Sequence, residues 1–254
     1  MTATAVADLL TGDRHHDRPA LVDATGREYD HHWFCTTAWK SGNFLRHSGV
    51  RRGVTVGVVG DGPLSLMAFL GTALLSGATR FDPPTDLADD QALRALVAPV
   101  ESLEADTYDL PQGAQRVGYG AKPDQPDIHH YDAGLWSENP SFPPVEIDPD
   151  TDLVTDGERT LTHGNGLEQA ATILEEYDIK SGEHVVVREP LADLEAVVGG
   201  VLAPVLGDAV IVLSGSDAVS DETGGKDEPR GEYAISSEPT PEPVRIDPGA
   251  IAIE

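Results

Sequence analysis

The sequence predicts an α/β fold of two similar lobes, each a mostly parallel sheet flanked by helices. Three observations lead there. Short β-branched runs bounded by turn residues alternate with longer apolar runs, as buried strands and core helices do. The alternation occurs twice with near-constant spacing. Hydrophobic residues make up 39% of 254, enough for a sizeable core.

The first copy begins with ALVDATGREYDHH at 20–32, continues through a helix-like stretch from Trp33 to His47, and reaches Gly53. A strand over Val54–Val59 follows, then a Pro-Leu pair at Pro63-Leu64, a helix over Leu64–Leu75, and Gly77. The second copy begins with DLVTDGERTLTHG at 152–164 and runs through a helix over Leu167–Tyr177 to Gly182. Its strand spans His184–Val187, its Pro-Leu pair is Pro190-Leu191, and its helix, Leu191–Leu206, reaches Gly207. Flanking glycines lie 24 residues apart in the first copy and 25 in the second. Both helices are apolar nearly all round, so they should lie against a sheet. Pro204 removes a helix hydrogen bond, which predicts a kink or an end there. A further echo links PPVEIDPD at 143–150 with EPVRIDPG at 242–249.

These patterns divide the chain into a first lobe over 1–117, a Pro/Asp/His-rich connector over 118–149 carrying Trp136, and a second lobe over 150–254. Within the second lobe, 214–232 contains almost nothing to bury and reads as an acidic surface loop.

Charge narrows the function classes. There are 44 acidic against 17 basic residues, a net charge of −27, and the only lysines are Lys40, Lys122, Lys180 and Lys226. The acids punctuate every polar stretch from Asp13 to Glu254, the pattern of a whole-surface adaptation to a salt-accumulating cytoplasm. No basic stripe exists to meet phosphates, so nucleic acid is not an expected partner. No apolar run reaches 18 residues and the N-terminus is acidic, which disfavours a membrane span or a secretion signal. The single cysteine, Cys35, sits among Trp33, Phe34 and Trp39 and reads as a buried small hydrophobe.

Candidate sites are sparse. Histidines pair at His15-His16, His31-His32 and His129-His130, but adjacent strand residues face opposite ways. A divalent site beside Asp30, or beside Asp127 and Asp132, lacks a third ligand at any zinc spacing, so no metal is expected. Glycines 57, 60 and 62 do not form G-x-G-x-x-G, and Asp61 stands where a pyrophosphate would approach; a tight strand-to-helix turn is the expectation. His163 is a candidate general base, since the unperturbed pKa of an imidazole suits that role, yet no nucleophile or acid can be placed beside it. Thr162 is a candidate N-cap for the helix that follows.

The stretch PALVDATGREYDHHWF followed by LRHSGVRRGVTVGVVGDGPLSLMAFLGTALLSGATRFDPP resembles the beginning of the acyl-CoA synthetase and AMP-binding superfamily. Gly49-Val50, Gly53, Leu70-Gly71 and Gly77-Ala78 fall at its recurrent places, and Thr162-His163 with Asn165 resembles its T-H-x-N element. The resemblance covers roughly residues 19–213 and implies the large N-terminal domain of adenylate-forming enzymes. It makes Arg159, Thr162, His163 and Asn165 the candidate cofactor-binding residues.

The departures imply more. A Thr/Ser/Gly-rich loop ending in Pro-Lys-Gly holds the ATP phosphates in that family. Here Val154–His163 has one glycine, no lysine, the acids Asp156 and Glu158, and Arg159 as its one cation. Arg51, Arg52 and Arg188 could supply cations only if the fold brings them together. The family's tyrosine-glycine-threonine-glutamate motif has no match, nor has its ribose-binding aspartate. Only 41 residues follow Leu213, too few for the lysine-bearing C-terminal domain. The expectation is a non-catalytic, cytoplasmic relative without a cofactor, serving as scaffold, regulatory or assembly subunit through a protein partner or self-association. The alternative is a binder or divergent enzyme for an acyl, CoA-like or nucleotide ligand in the cleft between lobes.

At −27, low ionic strength restores repulsion among the surface carboxylates. The melting temperature followed by circular dichroism is therefore expected to be lower in millimolar than in molar KCl. Equal values would remove the charge argument.

Overall fold

Glycines at positive φ open the matching strands of the two copies, Gly53 at +77° and Gly182 at +83°. In each case the turn is closed onto a left-handed residue, since Gly53 N–H donates to the Ser76 carbonyl and Gly182 N–H to that of Asp208. Ser76 and Asp208 themselves have φ of 58° and 59°. This local identity extends to the order of six strands in each sheet.

The computed structural model describes residues 3–214 and 229–253. Of the acidic loop expected at 214–232, residues 215–228 lie outside the described residues. The strands are β1 (Pro19–Val22), β2 (Glu28–Asp30), β3 (Thr55–Val58), β4 (Ala78–Phe81), β5 (Leu93–Pro99), β6 (Gln115–Tyr119) and β7 (Ile128–His130). They continue with β8 (Asp152–Thr155), β9 (Thr160–Thr162), β10 (His184–Val187), β11 (Val210–Leu213), β12 (Tyr233–Ile235) and β13 (Val244–Ile246). The helices are α1 (His31–His47), α2 (Pro63–Ala73), α3 (Val100–Glu104), α4 (Tyr131–Ser137), α5 (His163–Glu176), α6 (Leu194–Val197) and α7 (Ala203–Gly207).

One sheet runs β13-β12-β10-β11-β1-β2 and the other β7-β6-β5-β3-β4-β8-β9. Apart from β7 the two orders are the same, with β10 answering to β3, β11 to β4, β12 to β5 and β13 to β6. All pairings are parallel except the hairpins β1–β2 and β8–β9. The shared topology is what the internal echoes predict.

The hairpins are exchanged. β1 comes from the first copy yet pairs with β11 of the second, Leu21 opposite Ile211. β8 comes from the second copy yet pairs with β4 of the first, Thr79 opposite Val154. Sheet pairing therefore crosses the contiguous division at 1–117 and 150–254 in both directions. The connector at 118–149 also contributes to a sheet: β7 extends the seven-stranded one, and α4 is anchored by the fully buried Tyr131, whose hydroxyl lies 2.6 Å from Ser41 Oγ. The echo between 143–150 and 242–249 has no common structure. Val244–Ile246 is a strand, whereas 141–148 is irregular and buries Ile147.

Helix α2 packs on β3, β4 and β5, while the α6–α7 segment packs on β10, β11 and β12. Helix α1 reaches from α2 to β1 and β2, and α5 from α7 to β8 and β9, so each hairpin carries its helix with it. A single apolar core runs through both halves, from Val6 and Phe34 to Ile235 and Ile246. Strand periodicity shows in it: Val185, Val187, Ile211 and Leu213 face this core, while Val186, Val210 and Val212 form a cluster on the other face. No helix of the described residues is long and apolar enough to cross a membrane.

Pro204 does not end its helix. The preceding turn widens to π geometry over Val198–Leu202, and the helix continues to Gly207. The longer π reach accommodates a residue that has no N–H and that crowds the carbonyl one turn earlier.

At the α1–α2 crossing a Cβ on Gly71 would lie 2.7 Å from the Gly42 backbone nitrogen, so the two backbones touch. Gly71→Ala is expected to destabilise the fold by about 2 kcal/mol or more, because overpacking outweighs the ~1 kcal/mol gain in helix propensity. Denaturant unfolding in molar KCl measures this; an unchanged midpoint would show that the crossing relaxes freely.

Candidate functional site

The four candidates from the second hairpin and its helix do not converge. Thr162 is the N-cap of α5, its side chain accepting from the Asn165 backbone N–H at 3.2 Å. His163 is fully buried, and its Nδ1 accepts from the Val6 backbone N–H at 3.1 Å. Burial lowers its pKa to about 4, with Asp8 opposing weakly. Arg159 sits on the surface, held by Asp156 at 2.9 Å and by both carboxylate oxygens of Glu195 at 2.6 and 3.3 Å. These are a helix cap, a core histidine and an ion-paired arginine.

Arg188 remains apart from the adjacent Arg51 and Arg52. Arg52 lies before β3 at the amino ends of the strands, 3.2 Å from Thr151 Oγ1, and Arg51 donates to the Gly49 carbonyl. Arg188 lies at the opposite, carboxyl end, directly after β10. Its guanidinium forks onto Glu242 at 2.9 and 2.7 Å, and the Glu242 side chain is fully buried. Burial pushes the Glu242 carboxyl up, but the Arg188 fork outweighs it and holds the pKa below the ordinary value.

Arg188 borders a cleft of about 390 Å³ where the carboxyl ends of β3, β4, β10 and β11 meet. In parallel α/β sheets this is where ligands bind, outside the carboxyl ends of the strands. Apolar walls come from Val59, Val187, Leu191 and Leu213. The polar groups are Asp61, Asp82, Arg188, Glu189 and Ser214. The β3–α2 turn on one side is fixed by the Gly60 N–H, which donates to Asp82 Oδ1 at 2.9 Å, and by Tyr119, whose hydroxyl donates to the Val59 carbonyl at 2.7 Å. On the other side Glu189 accepts from Ser237 Oγ at 2.6 Å. Nearby, Asp193 has a raised pKa, from burial first and then from Glu189 and Glu195. The cleft and its rim are therefore electronegative. The sequence held one unused signal for it: both copies place their Pro-Leu pair, Pro63-Leu64 and Pro190-Leu191, just after the strand that ends here.

The histidine pairs split. His129 bonds to Gln115 Oε1 at 3.1 Å, and His130 lies 3.9 Å from Asp132. Asp30 caps α1 through the Trp33 N–H at 2.7 Å. His16 and His31, one from each of two pairs, meet at Asp208 instead. His31 is held neutral, its pKa lowered to about 4 by burial against the opposing pull of Asp208. Cys35 is buried, which raises its thiol pKa to about 11 and makes it an inert core residue.

No family model matches this chain, and no curated protein matches it. Solved structures do match. The chain is similar to the N-terminal domain of FACL13 from Mycobacterium tuberculosis, with TM-score 0.66 and 16% identity over 82% of this chain and 56% of that one. It is similar to the anthranilate CoA ligase AuaEII in complex with anthranoyl-AMP, with TM-score 0.66 and 16% identity over 82% and 44%. It is similar to MatB from Rhodopseudomonas palustris, with TM-score 0.64 and 13% identity over 83% and 44%. The α/β architecture, with sheets flanked by helices, is the fold of these neighbours. The chain spans about half of their length.

Buried neutral His163 couples stability to pH. Its folded pKa lies below the unfolded 6.5, so its contribution is complete above pH 6.5 and is lost as pH falls toward 4. His163→Asn keeps an acceptor near the Nδ1 position and removes the titration. The stability advantage of the native chain over this variant is expected to shrink by about 2 kcal/mol between pH 7 and pH 5. A pH-independent difference would show that His163 titrates normally in the folded state.

Proposed function

We propose that the protein binds a small ligand in the cleft between its two sheets and does not form acyl-adenylates. The observation that carries this reading is the cleft itself, which has apolar walls and converging polar groups at the carboxyl ends of four central strands. Its volume of about 390 Å³ suits a ligand with a short acyl or aryl body. Asp61, Asp82 and Glu189 favour a neutral or amine-bearing head group over an anionic one, since Arg188 is already engaged by Glu242.

ATP and an acyl-adenylate appear among the bound molecules of the structural neighbours. Adenylation must stabilise charge on the phosphate with fixed N–H donors or cations. In this chain the hairpin turn offers Asp156, Glu158 and an Arg159 that two carboxylates already hold. That arrangement supports binding without nucleotide chemistry.

A second reading, association with a protein partner, is favoured by Trp136, which is 87% exposed. It stands alone as a large exposed hydrophobic among the described residues, so the cleft is the stronger feature.

Calorimetry in molar KCl with hexylamine, benzylamine, benzamide, benzoate and Mg·ATP tests the proposal. Saturable binding of an amine or amide is expected, weakened at least about tenfold by Leu191→Trp, which fills the cleft. Mg·ATP should give no saturable heat, and pyrophosphate exchange with short carboxylic acids should stay at background. Substrate-dependent exchange would overturn the non-catalytic reading. Binding that is indifferent to Leu191→Trp would move the ligand elsewhere.

A further inference from the structure

We infer that His16, His31 and Asp208 form a binding site for one divalent transition-metal ion of the zinc class. The three residues are far apart in the chain, and backbone hydrogen bonds hold each in place. His31 is the first residue of α1, and its N–H donates to the Arg18 carbonyl at 3.0 Å. His32 N–H donates to the His16 carbonyl at 3.3 Å, which ties the N-terminal strap to the start of the same helix. Asp208 ends α7 in the left-handed conformation, and its carbonyl accepts from Gly182 at 2.9 Å.

The donor atoms face one another. His16 Nε2 lies 3.3 Å and His31 Nε2 3.2 Å from the same oxygen, Asp208 Oδ1. Neither approach has hydrogen-bond geometry: His31 Nε2 and Asp208 Oδ1 are both buried and both lack a hydrogen-bond partner. The His31 side chain is only 5% exposed, so water does not satisfy it from outside. Zinc-to-ligand distances of about 2.0–2.2 Å place tetrahedral ligands roughly 3.3–3.5 Å apart, which is close to both observed edges. All three donor atoms lie within 4.8 Å of one another. The His16 ring, on a half-exposed strap, can close the remaining edge.

The other carboxylate oxygen is already occupied. Asp208 Oδ2 accepts from Ser181 Oγ at 3.0 Å and from the Arg18 guanidinium, so the carboxylate is oriented with Oδ1 toward the histidines. Arg18 Nη2 also lies 3.1 Å from His16 Nε2, which puts a cation beside the donor cluster. Arg18 is 55% exposed and can withdraw from His16 while keeping Oδ2. Two imidazoles and one carboxylate suit zinc, cobalt or nickel rather than magnesium or calcium, and three protein ligands leave the fourth position to water.

The duplicated half supplies an internal comparison. His163 occupies the place of His31, and Ser76 that of Asp208. There the imidazole accepts the Val6 N–H at Nδ1 and leaves its buried Nε2 without a partner, and the left-handed residue carries no carboxylate. Orphaned donors that face a carboxylate occur in one half alone.

Metal-stripped protein titrated with Co²⁺ in molar KCl tests the site. One equivalent should produce the intense visible absorption of four-coordinate cobalt, and Zn²⁺ should abolish it. Surface carboxylates give weak six-coordinate spectra and cannot mimic this. His16→Ala, at a half-exposed position that leaves the core intact, should weaken binding by at least about 100-fold, beyond the ~10–100-fold typical of outer-shell changes. Arg18→Gln should tighten it, because a competing cation is removed. Absence of the four-coordinate spectrum, or a spectrum unchanged in folded His16→Ala, would overturn the proposal. So would loss of stability without any metal binding in Arg18→Gln, which would make the cluster an ordinary ion-pair network.

Discussion

The exchange of hairpins between the two halves is the constraint on which the rest of the structure depends. Each hairpin leaves its own copy and adds two strands to the sheet of the other, through β1–β11 and β4–β8. Each then delivers its helix between the sheets, so α1 and α5 bridge the halves rather than cover one of them. Separating the halves would break parallel strand pairing and open the shared core together. The exchange also fixes function-bearing geometry. It sets the central strands of both sheets so that their carboxyl ends share one cleft, and it draws the start of α1 against the end of α7, where His31 meets Asp208.

Much of this was legible in the sequence, for local reasons. Turn glycines, Pro-Leu pairs and apolar runs are encoded within a few residues of one another, and the matched elements follow them. Thr162 as an N-cap and Cys35 as a buried thiol are likewise decided by near neighbours. Strand partners are not. The pattern of ALVDATGREYDHH is compatible with pairing to either sheet, because alternation specifies which face is buried and leaves the partner open. The same limit hid β7 inside a Pro/Asp-rich stretch, the π turn that accommodates Pro204, and the meeting of residues 16, 31 and 208.

Charge shapes what such a scaffold can bind. Against 44 acids the chain has 17 basic residues, and the fold assigns many arginines to internal tasks. Arg14 donates to the Leu206 carbonyl near the end of α7, where a cation also complements the helix dipole. Arg116 joins Asp106 and Asp127 to the Leu103 carbonyl, and Arg245 joins Asp247 to the Ser236 and Ser237 carbonyls. Arg159 and Arg188 are held by Glu195 and Glu242. Turning Arg116, Arg159, Arg188 or Arg245 to a triphosphate would therefore mean dismantling structural ion pairs.

The duplication makes the two halves mutual controls. Where both halves keep the same device, the device serves the fold: the positive-φ glycines at 53 and 182 and the left-handed residues at 76 and 208 have the same backbone roles. Where one half adds chemistry at an equivalent position, folding does not explain the addition. A serine suffices at position 76, so the carboxylate of Asp208 is not required by the left-handed turn. His163 is buried with a backbone N–H on Nδ1 and nothing on Nε2, so a buried histidine at this place does not require an acid beside it. The conjunction at Asp208 departs from the shared framework at one compared position, an aspartate where the other half has Ser76, and its free oxygen is turned toward His31. Such departures from internal symmetry identify specialised positions.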